Sequence, residues 1–323
     1  MKNSNEIDIA QKLIRCKSIA PNANNALSVV EKECKAIGFK CTKLKFSEKG
    51  YDSISNLYAE IGNGKPHFSF AGHVDVVPAN KKDWSVDPFK GVIKNNSLWG
   101  RGAVDMKSAI ACFLLASKNY LKENKNFKGK ISLLVSGDEE QYALNGTPKI
   151  LKWLKKKKIK INNCLVGEPT NLNVLGDQIK IGRRGGYNGV VTVFGKEGHS
   201  AWPSRTKNPV SALIKMLTNI DKKVLDRGTK HFQPSIISIT SVDVGNEALN
   251  VIPSKAIGCF NIRFNPKHTI KSLTKWIKNE FNKVGFKYKL DLYVSGNAFL
   301  TKPGKFSELI KKCVKKITKK NPE

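Results

Sequence analysis

Short apolar runs alternate with amphipathic stretches along the first half of the chain. Ile7, Ala10, Leu13 and Ile14 recur at helical spacing, and so do Ala26, Val29, Val30 and Cys34. Residues three and four apart share one face of a helix, so each segment reads as a helix that buries one side. Gly38 follows the second and is placed to end it. Runs near 41–46 and 54–61 read as strands. The run from His67 to Gly72, the run from Ile131 to Val135 and the run from Asn163 to Gly167 are short, apolar and bounded by polar residues. They read as buried strands. Helices near 106–121 and 147–157 fall between them. Buried strands alternating with helices predict an α/β sheet with parallel strands, flanked by helices.

Around 181–186 the texture changes. Ile181-Gly182-Arg183-Arg184-Gly185-Gly186 combines glycine with charge and suits a domain crossing. Beyond it, strands are expected at 189–194, 235–244, 256–264 and 286–294, with helices at 207–220 and 270–281. That β-α-β-β-α-β order is a ferredoxin-like α+β unit. A last helix is expected near 304–318. The expected organisation is a first domain over 1–181, an inserted domain over 182–294, and a return to the first domain over 295–323.

The buried strands share one further property: each leads into residues that hold protons or cations. The strand at 67–72 delivers His73-Val74-Asp75, the strand at 131–135 delivers Asp138-Glu139-Glu140, and the strand at 163–167 delivers Glu168. Asp105 stands in the loop that opens a helix. In open α/β sheets, function lies beyond the carboxyl ends of the strands. Adjacent acids repel and are costly to desolvate unless a cation compensates them. Each residue also has a plain structural reading: Asp105 as a helix N-cap, Glu168 as a strand end before Pro169, His199 as a turn residue. Those readings require separate coincidences, whereas one metal centre accounts for all of them.

One imidazole with several carboxylates suits zinc, and by the same softness argument manganese or cobalt. Four acids exceed what one catalytic zinc takes, which points to two ions. Glu139 and Glu140 cannot easily share one ion. The economical division makes Glu140 a ligand and Glu139 the general base toward water. Asp75 is placed to accept the other ring proton of His73 and fix its tautomer.

Composition narrows the function classes. The net charge is +31, but only seven of the 57 basic residues are arginine and lysine is spread throughout. This reads as compositional bias with no focused phosphate-binding face, so no nucleic-acid partner is expected; the charge suits steering of an anionic substrate. The longest apolar run, Ala109 to Ala116, is too short to span a bilayer, and the first residues carry no apolar signal core. Seven scattered cysteines without a Cys-x-x-Cys pair suggest reduced thiols and a cytoplasmic protein. A nucleophile elbow, a His-Glu-x-x-His helix and a phosphate-cradling glycine loop are all missing.

Four segments resemble the co-catalytic zinc amidohydrolases: Ala71 to Pro78, Gly100 to Lys107, Ser136 to Glu140 and Val166 to Pro169. The resemblance implies a zinc-peptidase-like mixed or parallel sheet with the ferredoxin-like unit as a lid and dimerisation domain. It implies two zinc ions per subunit, replaceable by cobalt or manganese. His73 and Glu168 would bind one, Asp105 would bridge, Glu140 would bind the second, and Glu139 would be the base. His199 would reach the partner's site in a homodimer and stabilise the oxyanion. Asn250 lies in the same lid, and Arg183 and Arg263 look like contacts to a substrate carboxylate. Gly182 to Gly185, Asn250 to Pro253 and Phe299 to Gly304 look like those of the branch that releases succinate from N-succinyl-LL-2,6-diaminopimelate, an acylated diamino-dicarboxylate. A sister deacylase acting on acetylornithine is the alternative, and a non-catalytic dimerising remnant is another. In one respect the chain departs from the resemblance. The family's second zinc takes a final histidine from a later segment, and the last histidine here is His268, inside the expected lid. Weak second-metal occupancy and poor turnover are therefore expected of the chain as given.

Overall fold

The computed structural model describes residues 5–323. Residues 1–4, part of the N-terminal stretch read above as lacking a signal core, lie outside the described residues. Contacts divide the chain into two units, Met1–Asn171 and Leu172–Glu323.

The first unit runs α1 (Glu6–Arg15), α2 (Asn24–Ile37), β1 (Lys40–Phe46), β2 (Ile54–Asn63), β3 (His67–His73), α3 (Ser108–Glu123), β4 (Gly129–Ser136), α4 (Thr147–Lys156) and β5 (Asn163–Val166). The α2 helix ends as its sequence requires: Gly38 takes φ 102° and its N–H returns to the carbonyls of Cys34 and Lys35. The five strands lie in the order β1-β2-β4-β3-β5. β4, β3 and β5 are parallel, whereas β1–β2 and β2–β4 are antiparallel. The sheet is therefore mixed. The reason is connection length: a parallel pair needs a crossover of a dozen or more residues, and only a short loop joins β1 to β2. The α3 segment supplies that crossover between β3 and β4.

Strand alternation sorts the core into two layers. Leu133 and Val135 of β4 pack with α1, α2 and α3, while Leu134 between them faces Ile150 and Leu154 of α4. Helices thus cover both faces, as a parallel core demands.

The second unit contains β6 (Gly185–Phe194), α5 (Pro209–Asp221), β7 (Ile236–Asp243), β8 (Lys255–Phe264), α6 (Ile270–Asn282), β9 (Tyr288–Gly296) and α7 (Lys305–Thr318). Its sheet order is β7-β8-β6-β9, antiparallel throughout, which is the ferredoxin-like arrangement. Tyr187, Val191 and Val193 of β6 and Phe260, Ile262 and Phe264 of β8 meet Leu213, Leu217, Ile277 and Phe281 of the two helices. Gly185 and Gly186, expected in a crossing, instead open β6. A Cβ at Gly185 would lie within the ring of Phe264, and one at Gly186 would approach the Arg263 guanidinium, so glycine here serves close packing.

The division at Asn171 falls ten residues before the expected boundary at 181. Residues 295–323 group by contacts with the second unit. Phe299–Leu300 pairs with Gly182–Arg183, and Ile179 and Asp177 exchange backbone hydrogen bonds with Glu323 at 3.0 Å. The flanking segments of the inserted domain thus hold one another, a pairing across more than a hundred residues that periodicity does not reveal.

Candidate metal centre

Strand register assembles the site. In the parallel β3–β4 pair, His73 sits opposite Ser136, so both strands end at one level. In the β3–β5 pair, Ala71 sits opposite Val166, and the Gly167 N–H continues the ladder to the Ala71 carbonyl at 3.1 Å. Glu168 therefore emerges level with His73. Asp105 arrives from the loop before α3, in an extended conformation (φ −119°, ψ 100°), and Met106 after it is non-helical too (φ −134°, ψ 29°).

Three donors converge. The His73 Nε2 lies 3.0 Å from Asp105 Oδ1 and 3.5 Å from Glu168 Oε1. One donor atom from each of these residues falls within 4.8 Å of the others, close enough to hold a single ion. Glu139 Oε2 stands 4.0 Å from the same ring nitrogen. Glu140 is not in the three-donor group, but Asp105 is close enough to act on its charge.

The imidazole is fixed from behind. Its Nδ1 lies 2.9 Å from the main-chain oxygen of Asp75 and 3.6 Å from the Asp75 carboxylate. The expected carboxylate acceptor is thus outranked by the backbone of the same residue. A proton held on Nδ1 leaves the Nε2 lone pair for a cation. The Asp75 carboxylate, fully buried, accepts the Glu139 and Glu140 backbone N–H groups instead, each at 2.9 Å. The His73 N–H donates to Met106 Sδ at 3.4 Å.

The electrostatics are those of acids crowded without compensation. Burial pushes the Glu168 carboxyl up to about 7, reinforced by Asp105 and Glu139 against the opposing charge of His73. Burial and then Asp105 also raise Glu140. Burial alone would pull the His73 imidazole down, yet Asp75 and Glu168 outweigh it and hold the ring up at about 10. A divalent cation relieves each of these at once, so the donor set fits a hard-to-borderline ion.

The first acid of the triplet is different in kind. Asp138 is buried and accepts the backbone N–H groups of Ala143 and Asn145 at 3.1 and 2.8 Å. Sequence reading also missed Lys107, whose buried ammonium donates to the Leu13 carbonyl at 2.9 Å and is drawn down by burial to about 8. It missed Asn56 as well; an asparagine within the strand run at 54–59 was its signal.

In the first unit the histidines are His67 and His73, and His67 is committed to the Lys160 carbonyl and Ser132 Oγ at 2.9 and 2.7 Å. In the second unit, His199 and Asn250 come together at 3.4 Å, beside the pairing of Gly198–His199 with Val251–Ile252. His199 Nδ1 accepts the Ala201 N–H at 3.1 Å. Arg183 and Arg263 are both exposed, Arg183 on the short pair with Phe299 and Arg263 on β8 opposite Gly186. His268 pairs with Asp226 at 3.0 Å.

A mixed sheet with an imidazole and acids gathered at its strand ends, carrying a ferredoxin-like unit, defines a metallohydrolase of the α/β peptidase type. The model for peptidase family M20/M25/M40 matches residues 69–323, and the chain belongs to that family. A protein of Parvibaculum lavamentivorans named succinyl-diaminopimelate desuccinylase is 50% identical over 322 residues, covering 98% of this chain and 81% of the relative. One of the same name from Pelagibacter ubique is 50% identical over 328 residues, covering 100% and 85%. Among solved structures, an M20 family metallo-carboxypeptidase from Sulfolobus solfataricus superposes with a TM-score of 0.77 at 20% identity, covering 99% of this chain and 85% of that one. A Bacillus subtilis protein described as a dinuclear metal binding peptidase gives 0.66 at 12% identity, covering 97% and 79%.

Proposed function

We propose that the chain hydrolyses the amide bond of N-succinyl-LL-2,6-diaminopimelate to succinate and LL-2,6-diaminopimelate. The observation that carries the reading is the convergence of His73, Asp105 and Glu168 beside Glu139, in a chain half identical to relatives named for this reaction.

His73, Asp105 and Glu168 would hold a first zinc, with Asp105 shared toward a second that Glu140, with no histidine after His268, would hold weakly; cobalt or manganese could take the same donors. When bound, such ions supply Lewis acidity toward the amide carbonyl and toward water. The residues do the rest. Glu139, half exposed at the cluster, takes the proton from water and returns it to the departing amine. Asp75 holds the His73 ring through its carbonyl and the Glu139–Glu140 backbone through its carboxylate. His199, with Asn250 beside it, would reach the site of a partner subunit and supply the donor for the developing oxyanion there. Arg183 and Arg263 recognise the substrate's carboxylates, for which a planar guanidinium is suited. The +31 net charge favours arrival of an anionic substrate.

The lid reading includes a homodimer. Ile236, Ile239 and Val242 are exposed along β7, an edge strand of the second sheet, and an apolar edge of this kind favours pairing. No helix among the described residues is long and apolar enough to cross a membrane. A cytoplasmic location, resting on the scattered free thiols, is part of the same proposal.

The test is succinate release from N-succinyl-LL-2,6-diaminopimelate by the zinc-supplemented full chain, set against acetate release from N-acetylornithine. Preference for the second substrate, or succinate release that survives Glu139→Gln, would overturn the assignment.

A further inference from the structure

The segment that carries Glu139 and Glu140 belongs to no helix or strand, yet six of its backbone N–H groups are held by side chains. The Gly137 N–H donates to Asn56 Oδ1 at 3.2 Å, and the Asp138 N–H to Ser136 Oγ at 3.1 Å. Glu139 and Glu140 donate to Asp75. Further along, Ala143 and Asn145 donate to the two carboxylate oxygens of Asp138. Asn56 then closes the loop from below, its Nδ2 donating to the Asn145 carbonyl at 2.9 Å, while Asn145 Nδ2 donates to the Asp52 carbonyl at 2.9 Å.

Asp138, Asn56 and Asn145 are 3%, 1% and 1% exposed, so these bonds form away from water, where an unpaired partner is costly. There is no slack at the loop's neck. A Cβ on Gly146 would collide with Ser136 Oγ and the Asp138 carbonyl, and one on Gly137 would come within 2.5 Å of the Ser55 carbonyl. Ala143 is held at φ 53°, a left-handed conformation that a free loop would not select for alanine. Each of these features bears on where Glu139 and Glu140 emerge, and of their partners only Asp75 also touches the cluster, through the His73 ring.

We propose that Asp138, with Asn56 and Asn145, is a set of positioning residues for the Glu139–Glu140 pair. The buried amides grip both ends of the loop so that the base and its neighbour stand over the donor cluster before substrate arrives. This deepens the hydrolase reading above and rests on it. It assigns the first acid of the Asp138-Glu139-Glu140 triplet a task distinct from the other two: its charge is spent on backbone N–H groups and not on a cation. A general base must be held within hydrogen-bond reach of its proton, so loosening the loop acts on the chemical step more than on substrate capture.

The experiment compares Asp138→Asn, which keeps the shape but turns one acceptor into a donor, with Leu114→Ala, a buried core change in α3. Bound zinc, unfolding midpoint, kcat and KM are read on the full chain. Asp138→Asn is expected to lower kcat by about 10- to 100-fold with zinc content and KM held, the scale of loss seen when residues supporting a site are removed. Leu114→Ala is expected to lower the midpoint without that loss. A second measurement needs no variant: backbone amide exchange over 137–145 in the zinc-loaded protein, against the exposed 47–53 loop. Protection well above that loop is expected. A kcat for Asp138→Asn within about twofold of the parent, or exchange over 137–145 as fast as over 47–53, would overturn the proposal. If Glu139→Gln leaves turnover intact, the hydrolase reading fails first. If Glu139→Gln abolishes turnover while Asp138→Asn does not, only the positioning role fails.

Discussion

One oxygen of the Asp75 carboxylate accepts the backbone N–H of Glu139 at 2.9 Å, across 64 residues of sequence. The same oxygen takes the Glu140 N–H, and the main-chain carbonyl of Asp75 faces the His73 ring. One residue two positions beyond a strand end therefore sets both the imidazole and the acids opposite it.

Replacing that residue should show both tasks. Asp75→Ala leaves two part-buried N–H groups without their acceptor, each costing up to about 1–3 kcal/mol. Expected outcomes are a lowered unfolding midpoint, weaker zinc retention on dialysis, and a turnover loss of at least about tenfold. An unchanged midpoint in a thermal scan would contradict the burial argument.

Cation binding should stabilise the folded chain, because the clustered acids are compensated only then. At a free zinc concentration about 100 times the dissociation constant, linkage gives roughly 2.7 kcal/mol, seen as a higher midpoint that a chelator reverses. His73→Ala and Glu168→Gln should each abolish most of that shift. The readout is thermal unfolding with and without zinc, and needs no substrate.

The second unit offers a pH test that needs no cation. Burial by itself would raise Asp226, but hydrogen bonds from Ser235, the Gly228 N–H and Asn265 outweigh it and hold the carboxyl well below the usual carboxylate range. A depressed acid contributes stability that is complete above its unfolded pKa of 3.8 and is lost as pH falls below it. The parent's stability advantage over Asp226→Asn should be full at pH 7 and shrink below a pH of about 4. Urea midpoints across that range check it; an advantage that grows on acidification would reverse the sign.

His199 is exposed, so its role is separable from folding. His199→Ala should move stability by no more than about 0.5 kcal/mol, as surface changes do. If the ring supplies an oxyanion donor, kcat should fall by about 100-fold or more, with zinc content unchanged. Steady-state kinetics beside metal analysis decides it.

Much of this was legible in the chain. The helical spacing of Ile7 to Ile14, the apolar run before Ser136 and the glycine at 38 state local preferences, and the elements form where those preferences lie. The strand-end positions of His73 and Glu168 were legible too, because a buried strand must end before it can present a charged group. The choice between a mixed and a purely parallel sheet was not, since pairing direction follows from connection lengths and from which strands meet. The division at Asn171 was hidden for the same reason: Ile179 and Glu323 meet only in the fold.

The sequence by itself determined which residue types stand at the strand ends, and hence that a cation site with a nearby base was available. Only the tertiary structure decided that the first of the three adjacent acids stands apart from the other two. Hydrophobic period and residue type are local and repeat along the chain, whereas the partner of a buried carboxylate is chosen by packing. Asp138 turned inward to the amides of Ala143 and Asn145, and Glu139 outward to His73, because only the folded loop brings each within reach.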